Sequence, residues 1–89
     1  MKLFYHKRYQ KSFTKLPDKI KQKALIVLDM FYDSPTHPLL RNHDLSGDYE
    51  GLRSIDVTGD YRIILRQISD KTYELVELID VGTHAQLYK

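Results

Sequence analysis

The sequence predicts an α+β fold: an N-terminal helical hairpin packed on one face of a small antiparallel β-sheet. Three observations lead there. Apolar residues recur at helical spacing as far as Phe31, then give way to strand-like runs from Tyr49 onward. Turn residues divide those later runs into segments of strand length. Helices first and strands afterwards is the order of an α+β layer, in which one sheet face is covered by helix and the other stays open for a ligand.

The elements follow in chain order. Residues 2–6 alternate around Leu3, Phe4 and Tyr5 and read as a short first strand. Tyr9, Phe13 and Leu16 stand at i, i+4 and i+7, one face of a short amphipathic helix. Pro17 ends it, and Asp18 is placed to cap the next helix. In that helix Ile20, Ala24, Val27, Leu28 and Phe31 form the apolar stripe, and Ser34-Pro35 stops it because proline disfavours helical backbone in the residue before it. Residues 36–47 read as an irregular connection. Three strands are then expected at about 49–57, 61–68 and 73–81, with Thr58-Gly59-Asp60 and Ser69-Asp70-Lys71 as the turns. Links that short require antiparallel neighbours.

With 89 residues the chain is expected to be one domain over 1–89, near the lower size limit for a self-sufficient core. A hydrophobic share of 42% is too high for a disordered chain. The absence of cysteine excludes a disulfide framework, thiolate metal ligands and a cysteine nucleophile. No apolar run reaches membrane-spanning length and MKLFYHKRYQ lacks a signal-peptide core, so a cytoplasmic protein with no membrane partner is expected. Charge is unevenly spread. Through Asn42 there are nine Lys/Arg against three acids, and from His43 onward five against nine. A basic half suits a polyanion such as RNA, through release of condensed counterions. The plainer alternative is a solvated helix face.

The chemistry-bearing residues lie in the second half. His43 and His84 stand outside the apolar runs, around an Asp60-Tyr61-Arg62 cluster, with Arg53 on the preceding strand and Tyr88 near the end. A metal-free ribonuclease needs this set. One group takes a proton from the attacking 2′-hydroxyl, a cation stabilises the pentavalent phosphate, and an acid protonates the leaving oxygen. An aromatic ring can hold a base by stacking. Each residue also has an ordinary structural use: a loop histidine bonding a carbonyl, a turn aspartate, or an exposed arginine pairing with Asp56 or Glu74 across strands.

The stretch NHDLSGDYEGLRSIDVTGDYRIIL followed by GTHAQLY resembles the RelE/ParE toxin superfamily of bacterial type II toxin–antitoxin systems, and within it the YafQ-like mRNA interferases. The elements H-x-L-x-G, GDYR and GTH-x-x-LY occur in that order at the family's spacing. The resemblance implies the RelE/ParE-like fold, a metal-independent endoribonuclease acting on mRNA at the ribosome, no cofactor, and a cognate antitoxin in a hetero-oligomer. It further implies His84 as general acid and Asp60 with His43 sharing the base and orienting roles. Arg62 would stabilise the phosphorane, and Tyr88 with Tyr61 would contact bases; Arg53, on the strand adjacent to that of Arg62, is expected to converge with it on one phosphate.

Two positions depart from the family pattern. Asp80 stands near where the pattern has an arginine, and Asp56 where it has a second histidine. Arg62 is the cation that could compensate. Two other functions remain open: a ParE-like, non-enzymatic inhibitor of DNA gyrase, and a degenerate toxin that only binds its antitoxin. One scaffold can host each of these. The four histidines show no metal-ligand spacing, and no phosphate-cradling glycine loop occurs.

Overall fold

The apolar stripes read from the sequence become one core. The computed structural model describes residues 1–88. Its elements are β1 (Lys2–Tyr5), α1 (Lys7–Thr14), α2 (Asp18–Asp33), β2 (His43–Asp44), β3 (Arg53–Asp56), β4 (Tyr61–Gln67), β5 (Leu75–Thr83) and α3 (His84–Leu87), with 3₁₀ turns at Pro38–Leu40 and Gly47–Tyr49. Tyr9 and Leu16 from the first helical segment and Ala24, Val27, Leu28 and Phe31 from α2 are buried. They meet Ile55, Val57, Ile63, Leu65, Val76, Leu78 and Val81 from the sheet. Phe31 is fully enclosed, so truncating it to alanine costs about 3–5 kcal/mol.

The sheet has the order β1-β5-β4-β3-β2. Four of its strands are antiparallel neighbours, but β1 runs parallel to β5, with Lys2 opposite Leu75 and Tyr5 opposite Leu78. The sheet is therefore mixed rather than purely antiparallel, and β5 lies inside it. The expected third-from-last strand is also shorter. It starts at Arg53, not Tyr49, because Gly47 and Gly51 adopt φ of 65° and 90° and the chain turns between them. The last strand starts at Leu75. Tyr73 leaves the ladder to pack edge-on against Phe31, centroids 5.7 Å apart. Asp18 does not cap α2 with its side chain; Pro17 occupies the cap position and Asp18 is the first helical residue, where its charge suits the helix dipole. His43 lies on an edge strand, not in an irregular loop.

Register fixes which residues share a face. Ile55 pairs with Ile63 and Arg53 with Leu65, while Ser54 pairs with Ile64 and Asp56 with Arg62. Strand side chains alternate. The first set faces the helices, and the second occupies the opposite face. A bulge in the β4–β5 pairing, between Ile64 and Leu65, lets Leu78 and Val81 both reach the core.

Candidate functional site

On the face away from the helices, the strands line up charged and titratable groups. His43 pairs with Ser54, two residues from Asp56 and on the same side. Asp56 pairs with Arg62, which pairs in turn with Gly82 of β5. The Asp56 carboxylate, only 13% exposed, meets two guanidinium groups: Arg62 Nε at 3.6 Å from Oδ1 and Arg41 Nε at 3.6 Å from Oδ2. Arg62 also donates from one terminal nitrogen to the Gly59 carbonyl at 3.2 Å.

Arg41 reaches this face because it caps the Pro38–Leu40 turn in left-handed backbone, φ 49° and ψ 44°. Its carbonyl lies 2.8 Å from His43 Nδ1. A carbonyl only accepts, so the neutral His43 ring carries its proton on Nδ1 and leaves Nε2 bare as a base.

At the end of β5 the chain folds back. Thr83 and Gln86 form a reciprocal capping box, Gln86 N–H donating to Thr83 Oγ1 at 3.2 Å and Thr83 N–H to Gln86 Oε1 at 2.9 Å. A Cβ on Gly82 would stand 2.8 Å from Gln86 Oε1 and 3.7 Å from Leu87 Cδ2. Gly82 is the strand partner of Arg62, and glycine there leaves room for the Gln86 and Leu87 side chains of α3. His84 is the first residue of α3, and its backbone N–H donates to the Asp60 carbonyl at 3.2 Å. Among the described residues the Asp60 carboxylate has no hydrogen-bond partner. The His84 ring packs on Tyr88 at 4.6 Å, and Tyr88 packs edge-on against Tyr49 at 5.2 Å. Tyr49 Oη donates to the Leu87 carbonyl at 2.6 Å, tying the β2–β3 connection to α3.

The arrangement thus brings His43 and Arg62 to one face through Asp56, and joins Asp60, His84 and Tyr88 at its end. Arg53 and Tyr61 do not join them. Arg53 lies on the helix-side face, where it donates to Asn42 Oδ1 at 2.7 Å and pairs with Asp44. The expected convergence of Arg53 and Arg62 on one phosphate does not occur, because they sit at opposite parity on adjacent strands. Tyr61 likewise turns toward the core and lines a groove of about 290 Å³ with Ser12, Lys15, Asp80 and Gln86. In that groove Asp80 accepts from Ser12 Oγ at 2.6 Å and from its own neighbour Val81 N–H at 2.8 Å, so its carboxylate belongs to α1. Sequence reasoning did not single out Arg41 or Tyr49. Arg41 stands two residues before His43, but its pairing with Asp56 depends on the left-handed turn. No pattern within the chain signals the contact between Tyr49 and Leu87. Among the described residues no group of three or more His, Asp or Glu is placed to hold a metal ion.

Comparison with known proteins decides the family. A family model for YafQ, the bacterial toxin of a type II toxin–antitoxin system, matches residues 1–89. The chain belongs to the YafQ toxin family. Among solved structures it is similar to a histidine-to-glutamine mutant of YafQ from E. coli, at 25% identity and a TM-score of 0.74, covering 99% of this chain and 98% of that one. It is similar to the E. coli DinJ–YafQ toxin–antitoxin complex at 26% identity and a TM-score of 0.70, with 99% and 97% covered. A YoeB/ParE toxin from Agrobacterium tumefaciens shares the fold, at 20% identity, a TM-score of 0.74 and 94% and 99% covered. No curated protein sequence matches the chain. The YafQ-type fold of helices on a five-stranded sheet is thereby established for this chain.

Proposed function

We propose that this YafQ-family toxin is a metal-independent endoribonuclease that cleaves mRNA on the ribosome in the cytoplasm and is held inactive by a cognate antitoxin. The observation that supports the reading is the sheet face that carries Arg62, Asp56 and His43 with its bare Nε2, next to Gly82, the strand partner of Arg62 from which the His84–Tyr88 tail departs. Either His43 Nε2 or the unpartnered Asp60 carboxylate takes the 2′-hydroxyl proton. The 2′-oxygen then bonds to phosphorus and the bond from phosphorus to the 5′-oxygen breaks. His84 returns a proton to that leaving oxygen. The products are a 2′,3′-cyclic phosphate and a 5′-hydroxyl. Arg62 offsets the charge of the phosphorane, where preorganised donors are worth most. Tyr88, braced by Tyr49, supplies the stacking surface. Arg53 and Tyr61 have no part in this scheme. The antitoxin partner is supported by the DinJ–YafQ complex to which this chain is similar.

Inducing the chain in bacteria and mapping transcript 5′ ends tests the reading. Wild type is expected to arrest growth with new 5′-hydroxyl ends in mRNA. His84→Ala is expected to relieve the arrest, since losing one proton-transfer group costs about 10²–10⁴ in rate. Equal toxicity of the two at matched expression would remove His84 from the chemistry. Arrest with intact mRNA and DNA breaks would favour the gyrase inhibitor instead.

A further inference from the structure

We propose that Arg41 is the second phosphate ligand of this site, forming with Arg62 a two-guanidinium clamp built on the shared carboxylate of Asp56. The proposal rests on the ribonuclease reading and adds to it a residue that the sequence did not single out. Asp56 is shared evenly, one oxygen and 3.6 Å to each Nε. Both guanidinium groups therefore present their Nε edge to it. Of the terminal nitrogens, one on Arg62 is taken by the Gly59 carbonyl. The others have no hydrogen-bond partner among the described residues. The Arg41 side chain is 75% exposed, so an incoming anion can reach it, whereas Arg62 at 21% is already seated.

The charges favour the same conclusion. Two cations and one carboxylate leave the cluster net positive, and the carboxylate offsets the repulsion that would otherwise drive the two arginines apart. A phosphodiester passing into the phosphorane gains negative charge, and guanidinium forks meet its oxygens in bidentate fashion. The other arginines of the sheet are committed elsewhere. Arg53 is on the opposite face with Asn42 and Asp44, and Arg66 pairs with Glu77 at 2.8 Å. Arg41 also fixes the neighbouring base, because its carbonyl sets the His43 tautomer. One left-handed residue thus places the cation and orients the imidazole together.

The test measures binding of a short single-stranded 2′-deoxy oligonucleotide, which cannot undergo the 2′-hydroxyl reaction, to the full chain across a salt series. Each phosphate contact contributes about 0.7 to the slope of log affinity against log salt. Arg41→Asn keeps the left-handed backbone, which asparagine adopts readily. It is expected to lower the slope by about 0.7, Arg62→Gln by about 0.7, and the pair by about 1.4. Lys71→Gln, in the β4–β5 turn, should leave the slope unchanged. Arg41→Lys should keep the slope yet lose kcat on cleavable RNA, because an ammonium cannot fork. An unchanged slope in Arg41→Asn beside a lowered one in Arg62→Gln would overturn the clamp. If wild type binds but leaves ribosome-bound mRNA uncut, the ribonuclease reading fails while the slopes still decide the clamp. No binding by wild type would overturn the clamp.

Discussion

Replacing Tyr49 with phenylalanine removes one oxygen and leaves the ring. That oxygen donates to the Leu87 carbonyl at 2.6 Å across 38 residues of chain, and it is the hydrogen bond that ties the β2–β3 connection to α3. Such a bond is worth about 1 kcal/mol net, which shifts an open-to-closed ratio roughly five-fold. The ring contact with Tyr88 at 5.2 Å survives the change. Amide hydrogen exchange reads the shift directly, because the Tyr88 N–H is held by the His84 carbonyl at 3.0 Å only while α3 is formed. Exchange at Tyr88 is expected to quicken about five-fold in Tyr49→Phe, with the amides of Ile63 and Leu65 unchanged. Growth arrest should weaken only slightly, since a largely closed tail stays largely closed. Unchanged exchange at Tyr88, or equal acceleration in Ile63 and Leu65, would refute the idea that Tyr49 locally clamps the tail.

Other expected outcomes follow from the same geometry. Arg62→Ala should cut RNA cleavage by on the order of 10²–10³ while thermal stability changes by less than about 1 kcal/mol, because Asp56 keeps Arg41; full cleavage would show that the phosphate is carried elsewhere. Asp80→Arg should not raise cleavage and should cost about 2 kcal/mol in urea unfolding, since it removes the Ser12 hydroxyl's acceptor and places a cation near Lys15; a gain in activity would mean residue 80 reaches the Arg62 face. Tyr9 is buried with its hydroxyl unpartnered, and burial, with Tyr5 nearby, raises its phenol above the ordinary value of 10.0. The unfolded chain therefore loses this proton first. The associated stability is intact below pH 10 and falls above it, by up to about 1.4 kcal/mol per pH unit. Tyr9→Phe should be about 1 kcal/mol more stable near neutrality and lack that alkaline slope; identical alkaline unfolding in variant and wild type would contradict the burial argument.

The parts of the fold visible in the sequence are those set by local spacing. Tyr9 and Leu16, with Ala24, Val27, Leu28 and Phe31, are buried as their helical periodicity requires, and Thr58-Gly59-Asp60 makes the turn between β3 and β4. The parallel pairing of β1 with β5 joins residues more than seventy positions apart and leaves no local pattern. The side of Arg53 was legible in principle. Arg53 has the parity of buried Ile55 and Val57, whereas Arg62 has the parity opposite to Ile63 and Leu65. The run Ile63-Ile64-Leu65 hides that parity, because Ile64 is buried on the other face beside Ser54. For the site, His43, Asp60, Arg62 and His84 could be picked out by residue type and resemblance. Asp56 looked like a lost histidine, but its carboxylate is the anchor of two arginines, a role that emerges only from a left-handed residue fifteen positions earlier.

The position of β5 between β1 and β4 also governs how the molecule comes into being. The first strand has no partner until the segment Leu75–Thr83 exists, so the five-stranded sheet cannot close around a partly synthesised chain. Until then Val76, Leu78 and Val81 are missing from the core that α1 and α2 must cover. Any product that stops after Gln67 has neither the β1–β5 pairing nor the α3 tail, and is expected to be cut readily by proteases. Limited proteolysis of such a fragment beside the full chain would show it; a resistant fragment would mean the helices and β3–β4 hold together unaided. Poisoning by this fold is then expected to be all or none, with only chains extended through α3 able to arrest growth.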